Sequence, residues 1–373
     1  MKIAVCISGE ARQYEKCHPS FEAFFGKYDC DVFISTWEQR GGSRKVDRIL
    51  NEVEYSGPGC WDKLDSDYNN NQGVFEHYGF KMQNSPHIWE KKEEFDESLV
   101  DVDHLKSLYK PKAIDVMKNN SLPLELNGTR IKRFHNKFPQ DYQVYKADLI
   151  RRKYEKENNI KYDIVVKTRF DIAHLNALEL EHVDVANTLI SSPGYQRLAA
   201  QGNWKQYNLW FREFPLSFFE KILSYEREHF SPNEEKIQET ICNFLGDLQL
   251  EEYRDIVLDD LRLDAKKHLD SKRSSRPLQI QDCFAISNPE YIRLYSMPFV
   301  TTLKWIACEN KFTYPFDQFW QDYGIQNGQV PNLLKEEYGY EDTTNTLNYY
   351  LWKTGVNFWW VKEMEWTLGR LLP

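Results

Sequence analysis

The stretch Tyr162-Asp163-Ile164-Val165-Val166-Lys167-Thr168-Arg169-Phe170-Asp171 constrains this chain more than any other. A β-branched run follows a charged, helix-like segment that ends at Glu157-Asn158-Asn159, which predicts a strand buried on both faces of a parallel sheet. Strand side chains alternate, so Arg169 and Asp171 fall on one side and Phe170 on the other, just past the carboxyl end. Ligands of open α/β sheets bind at that edge. A carboxylate there can hold a divalent cation, and a guanidinium can take two phosphate oxygens at once. The same spacing also describes a structural Arg–Asp pair closing a strand-to-loop junction.

A second segment has the same character. Ile3 to Ile7 is a short apolar strand interrupted by Ser8-Gly9-Glu10-Ala11-Arg12, with a helix expected through Phe25. Gly9 permits close backbone approach, and the N–H groups of a helix start favour anions. Ser8, Gly9 and Arg12 are therefore candidates for a phosphate corner, with an ordinary strand-to-helix turn as the alternative. The segment matches neither a G-x-G-x-x-G nor a P-loop pattern. Asp31 to Trp37 completes a β-α-β unit, and Trp37 is either a stacking platform or packing.

Residues 39–138 are less periodic and read as a long insertion, with short helices expected at Asp101–Leu108 and Lys112–Lys118. The clearest helix runs from Tyr142 to about Asn158, with Asp141 as N-cap. Gln143 and Lys146 share a face of it and can reach a ligand at the sheet's end, or form part of a solvated face. A strand is expected within 188–194, mainly helix over 203–270, and a strand over Leu278–Ser287 carrying Asp282. A carboxylate among such apolar neighbours is costly unless it is paired or used. A helix ending at Gly355 and a strand over Val356–Val361 close the chain.

Composition excludes some classes. With 48 Lys and Arg against 57 Asp and Glu, the formal charge of -9 argues against a general nucleic-acid binder. The 7 cysteines form no C-x-x-C pair and read as reduced thiols. The amino-terminal apolar run is too short for a signal peptide or a membrane span, so a soluble, cytoplasmic protein is expected.

Four blocks, Ile3–Arg12, Asp31–Trp37, Tyr162–Asp171 and Ile280–Ile286, taken in order, resemble a family of GT-A-fold glycosyltransferases of large DNA viruses and microbes. The resemblance implies a GT-A-like (Rossmann-like), mostly parallel sheet flanked by helices in a single domain. In that reading residues 1–38 and 139–200 form the nucleotide-sugar core, 39–138 the insertion, and 201–373 a helical, acceptor-side part. It implies a UDP- or GDP-sugar donor, a glycan acceptor, and Mn²⁺ or Mg²⁺ held against the diphosphate. Carried over by position, Ser8, Gly9, Arg12, Trp37, Gln143, Lys146, Arg169 and Asp171 would bind donor. Asp171 would ligate the metal, and Asp282 and Arg169 would serve catalysis. Arg169 stands where the family's acidic motif has its first Asp, so the guanidinium would take over part of the metal's work.

Overall fold

The computed structural model describes residues 1–41, 96–118, 125–126, 129–130, 138–174, 179–180, 185, 188–191, 220, 223–224, 234–247, 250–263, 284–308, 347, 350–351, 353–354, 356, 358–360 and 366–368. The apolar run at the amino terminus forms β1 (Ile3–Gly9), followed by α1 (Tyr14–Phe25) and β2 (Cys30–Trp37). Two short strands, β3 (Gln39–Gly41) and β4 (Asp96–Leu99), pair antiparallel. Helix α2 (Val102–Tyr109) begins where the Asp101 carboxylate accepts the His104 N–H at 2.9 Å, and ends at Lys110, which takes a left-handed φ of 46°. Strand β5 (Ala113–Met117) comes next, then the small hairpin β6 (Glu125–Leu126) and β7 (Thr129–Arg130). The long helix α3 (Phe138–Asn158) leads into β8 (Ile164–Thr168), which matches the organising stretch of the sequence.

The remainder comprises β9 (Ile172–His174), β10 (Leu189–Ser191), α4 (Glu234–Asp247), a 3-10 turn at Glu251–Tyr253, and α5 (Arg254–Arg262). After these come β11 (Ala285–Ser287), α6 (Pro289–Ser296), α7 (Pro298–Cys308), β12 (Phe358–Trp360) and β13 (Trp366–Leu368).

Seven strands form one sheet in the order β12-β10-β11-β8-β1-β2-β5. Every neighbour pair is parallel except the two that involve β11. The chain builds outward from β1 through β2 to β5, then crosses over α3 and lays β8 on the other side of β1. That reversal is a topological switch point, the place in open α/β sheets where ligands bind.

Both faces are covered, which is why β1 and β8 read as unbroken apolar runs. Ile3, Val5, Ile7, Ile164 and Val166 pack with Phe21, Phe24 and Phe25 of α1 and with Leu105 and Tyr109 of α2. Ala4, Cys6, Phe33 and Val165 face the other way, into a core with α3 and the C-terminal helices. There Phe299 of α7 lies 5.0 to 5.3 Å, ring to ring, from Phe138, Tyr142 and Tyr145. A buried carboxylate fixes these helices to one another. Asp260 of α5 accepts from Tyr145 Oη at 2.6 Å, from both terminal nitrogens of Arg152 at 2.9 and 2.6 Å, and from Arg293 Nε of α6 at 2.7 Å.

Two local expectations change. Helix α3 starts one turn earlier than predicted, so Asp141 lies inside its first turn. Residues 112–118, expected as a helix, instead supply the edge strand β5, paired from Phe33↔Ala113 to Trp37↔Met117. The left-handed turn at Lys110 separates this segment from α2, and the open edge of β2 satisfies its backbone groups. Thus part of the presumed insertion belongs to the main sheet. Among the described residues, no helix is long and apolar enough to cross a membrane.

Candidate functional site

At the end of β1 the backbone turns through Gly9, whose φ of 105° disfavours any L side chain, and nothing lies within 4 Å of where a Cβ would stand. The Thr36 hydroxyl of the adjacent strand donates to the Gly9 carbonyl at 2.8 Å and fixes this turn. Helix α1 then begins after Gln13, which takes a φ of 55° and supplies no side-chain cap.

Across the switch point, Asp171 is buried at 5% exposure and is held by two guanidiniums. Arg169 donates through Nε to Oδ1 at 2.9 Å and through a terminal nitrogen to Oδ2 at 2.8 Å, a two-bond fork. Arg12 donates through Nε to Oδ2 at 2.8 Å. Burial acts to raise the Asp171 pKa, but Arg169 and Arg12 outweigh it and hold the carboxyl well below the ordinary range. Phe170, in the turn after β8, packs into the core under α1 and α2, its ring 5.9 Å from that of Tyr109. Both arginines keep partly exposed side chains, at 23% for Arg12 and 19% for Arg169. Glu10 brings a second carboxylate, 3.8 Å from Arg12, and Gly41 at φ 73° leaves that carboxylate room that a side chain would fill.

On the α3 side the same edge is polar. Ser8, Ser35 and Asp115 sit in one register row across β1, β2 and β5. The Ser35 hydroxyl donates to Gln143 Oε1, and Lys146 Nζ lies 3.9 Å from Asp115 Oδ2, an ion-pair separation longer than a hydrogen bond. The ammonium also sits 4.2 Å from the centroid of the Tyr253 ring. Burial pushes the Asp115 pKa up and that of Lys146 down, each opposed by the other's charge. Among the described residues, Ser8 Oγ, Gln143 Nε2, Tyr142 Oη and Asp115 Oδ2 are buried with no hydrogen-bond partner, and so is Thr168 Oγ1 at the end of β8. Trp37 is buried in the core, its ring 6.3 Å from that of Tyr142 and nearly parallel to it.

Of the residues singled out in the sequence, Arg12, Arg169 and Asp171 thus meet directly, with Ser8 and Gly9 on the neighbouring strand. Gln143 and Lys146 lie on the far face, held by Ser35 and by Asp115 with Tyr253. Asp282 lies outside the described residues. The sequence reading missed Glu10, Thr36 and Asp115. Glu10 and Thr36 stand inside blocks it had selected, and Asp115 alternates with Ile114 and Val116 in a pattern of period two that marks a strand.

The arrangement fits anions better than cations. Both Asp171 oxygens already accept from guanidiniums, and two positive charges stand where a divalent ion would need to approach. Among the described residues, no group of three or more His, Cys, Asp or Glu side chains is placed to hold a metal ion. No protein-family model matches the chain, and neither the curated proteins nor the solved structures searched gave a match.

Proposed function

We propose that this chain is a glycosyltransferase that moves a sugar from a nucleoside-diphosphate donor, a UDP- or GDP-sugar, to a hydroxyl of a glycan or similar acceptor. One observation carries the reading. The turn after β1, with Gly9 and Arg12, and the residues after β8, Arg169 and Asp171, meet at the switch point of a doubly wound sheet. Glycosyl transfer needs the negative charge of the departing nucleoside diphosphate stabilised. Guanidiniums fixed beforehand in a partly dry site do this without reorganising. In this reading Arg169 acts on the leaving group, Ser8, Gly9 and Arg12 line the diphosphate, and Asp282 takes the acceptor proton along an inverting path. The residues described do not fit Mn²⁺ or Mg²⁺, so no step is assigned to a metal. A soluble, cytoplasmic setting belongs to the same proposal.

A second reading is a binding module of the same fold without turnover. It is favoured by the three guanidinium hydrogen bonds that the Asp171 carboxylate already accepts. Incubation of the full chain with UDP- and GDP-sugars, with and without Mn²⁺, separates the two. Release of nucleoside diphosphate, lost in Arg169→Ala, is the expected result. Saturable binding of a donor with no release above the uncatalysed rate would establish the module instead.

A further inference from the structure

We propose that the polar row on the α3 face, centred on Asp115 and Lys146 with Gln143 and Tyr142 beside them, binds a neutral, hydroxyl-rich ring of the monosaccharide class through two hydroxyls on neighbouring carbons. The proposal does not need the transferase reading, because a sugar held here need not be one that is transferred. Its ground is a shortage of partners. Among the described residues, Ser8 Oγ, Tyr142 Oη, Gln143 Nε2 and Asp115 Oδ2 are buried without a hydrogen bond, and Ser8, Tyr142 and Gln143 are each exposed by no more than 2%. A buried polar atom left in this way destabilises the fold that carries it. These four are gathered in one place. Ser8, Ser35 and Asp115 stand in one row on adjacent strands, Ser35 bonds Gln143, and Tyr142, Gln143 and Lys146 lie on neighbouring turns of α3.

The row is close to neutral. Lys146 faces Asp115, and Glu252 and Lys153, whose charges also reach Lys146, are paired with each other. An anion set here would meet Asp115 and a cation would meet Lys146, so an uncharged ligand suits the row best. The ammonium and the carboxylate are 3.9 Å apart, too far to bond each other and close enough to be bridged. Two adjacent hydroxyls do this. One accepts from Lys146 while its neighbour donates to Asp115 Oδ2, and both bonds are charge-assisted. Gln143 Nε2 and the Tyr142 hydroxyl are left to donate to further oxygens of the ring. Burial pushes Asp115 up and Lys146 down, as befits a pair with too few hydrogen bonds. Entry is past Asp115, whose side chain is 33% exposed on the strand at the border of the sheet.

The test uses the full chain and saturation-transfer NMR with glucose, galactose and mannose as probes and cyclohexanol as the single-hydroxyl control. Saturable transfer to at least one of the sugars and none to cyclohexanol is expected, and Lys146→Met and Asp115→Ala are each expected to weaken the binding by about ten-fold. Tyr142→Phe keeps the ring and removes a hydroxyl that has no partner. It is expected to raise the urea midpoint while weakening sugar binding by several-fold, a pairing that damage to the fold cannot produce.

No transfer to any of the sugars, equal transfer to cyclohexanol, or binding that survives in both Lys146→Met and Asp115→Ala overturns the proposal. So does a Tyr142→Phe chain that gains stability and binds sugar as before, which would make the row part of the core and nothing more. Each of these outcomes leaves the transferase reading to its own donor-hydrolysis test.

Discussion

At the scale of single residues, the most informative group outside the site is His174. It is buried among the rings of Phe24, Phe25 and Phe284, at centroid distances of 4.8, 5.5 and 5.2 Å, and its Nδ1 has no partner among the described residues. Burial lowers its pKa to about 3, so it stays neutral in the folded chain while the unfolded chain takes up a proton near the ordinary value of 6.5. Stability from this group is therefore complete above pH 6.5 and is lost as pH falls toward 3, by up to about 1.4 kcal/mol per pH unit. Asp171 acts in the same direction, but only below the ordinary carboxylate range. Urea unfolding followed between pH 7 and pH 4.5 should show this decline, and His174→Phe should flatten it; an unchanged slope in the variant would assign the decline to other groups. The pairing of Arg169 with Asp171 could be read from the sequence because the two lie two residues apart just past a strand end, although the chain there makes a turn and does not continue the strand. His174 could not be read, because its partners lie far away in the chain, on α1 and before β11.

At the scale of elements, Asp260 joins three helices that the sequence gives no reason to connect. It is fully buried and receives Tyr145 and Arg152 from α3 and Arg293 from α6. Replacement by Ala would leave the partly buried Arg293 without this acceptor and Arg152 with Asp148 alone, and a loss of about 2 kcal/mol is expected in denaturant unfolding. A change below 1 kcal/mol would mean that the arginines find other partners. Helix α3 and strands β1, β2 and β8 were legible because burial on one or both faces imprints a period on the sequence. Strand β5 was not legible. Ala113-Ile114-Asp115-Val116-Met117 is half-buried throughout, and only the open edge of β2 decides between helix and strand. Helices α6 and α7 escaped notice although Asn288 caps the first by accepting the Tyr291 N–H at 2.8 Å and Pro289 opens it.

At the scale of the whole molecule, the sheet has a firm centre and a softer border. Strands β1 and β8 are buried on both faces and lie inside the sheet, whereas every side chain of β5 is only half-buried and β5 lies at the edge. Hydrogen exchange read by mass spectrometry should therefore find the slowest amides in β1 and β8 and faster exchange in β5. Equal protection of all three would mean that the sheet opens only as a unit. The order β5-β2-β1-β8 puts the candidate site over that buried centre, so its side chains are carried by the most enclosed strands of the sheet. One strand runs against this grain. β11 pairs antiparallel with β8, Ala285 opposite Lys167 and Ser287 opposite Val165, so the polypeptide arrives at the edge that carries the candidate site by way of Phe284 and leaves β11 at the opposite side. A reversed strand presents its threshold where its neighbours present their exits, so at β11 the residue ahead of the strand, Phe284, stands on the side where β8 ends.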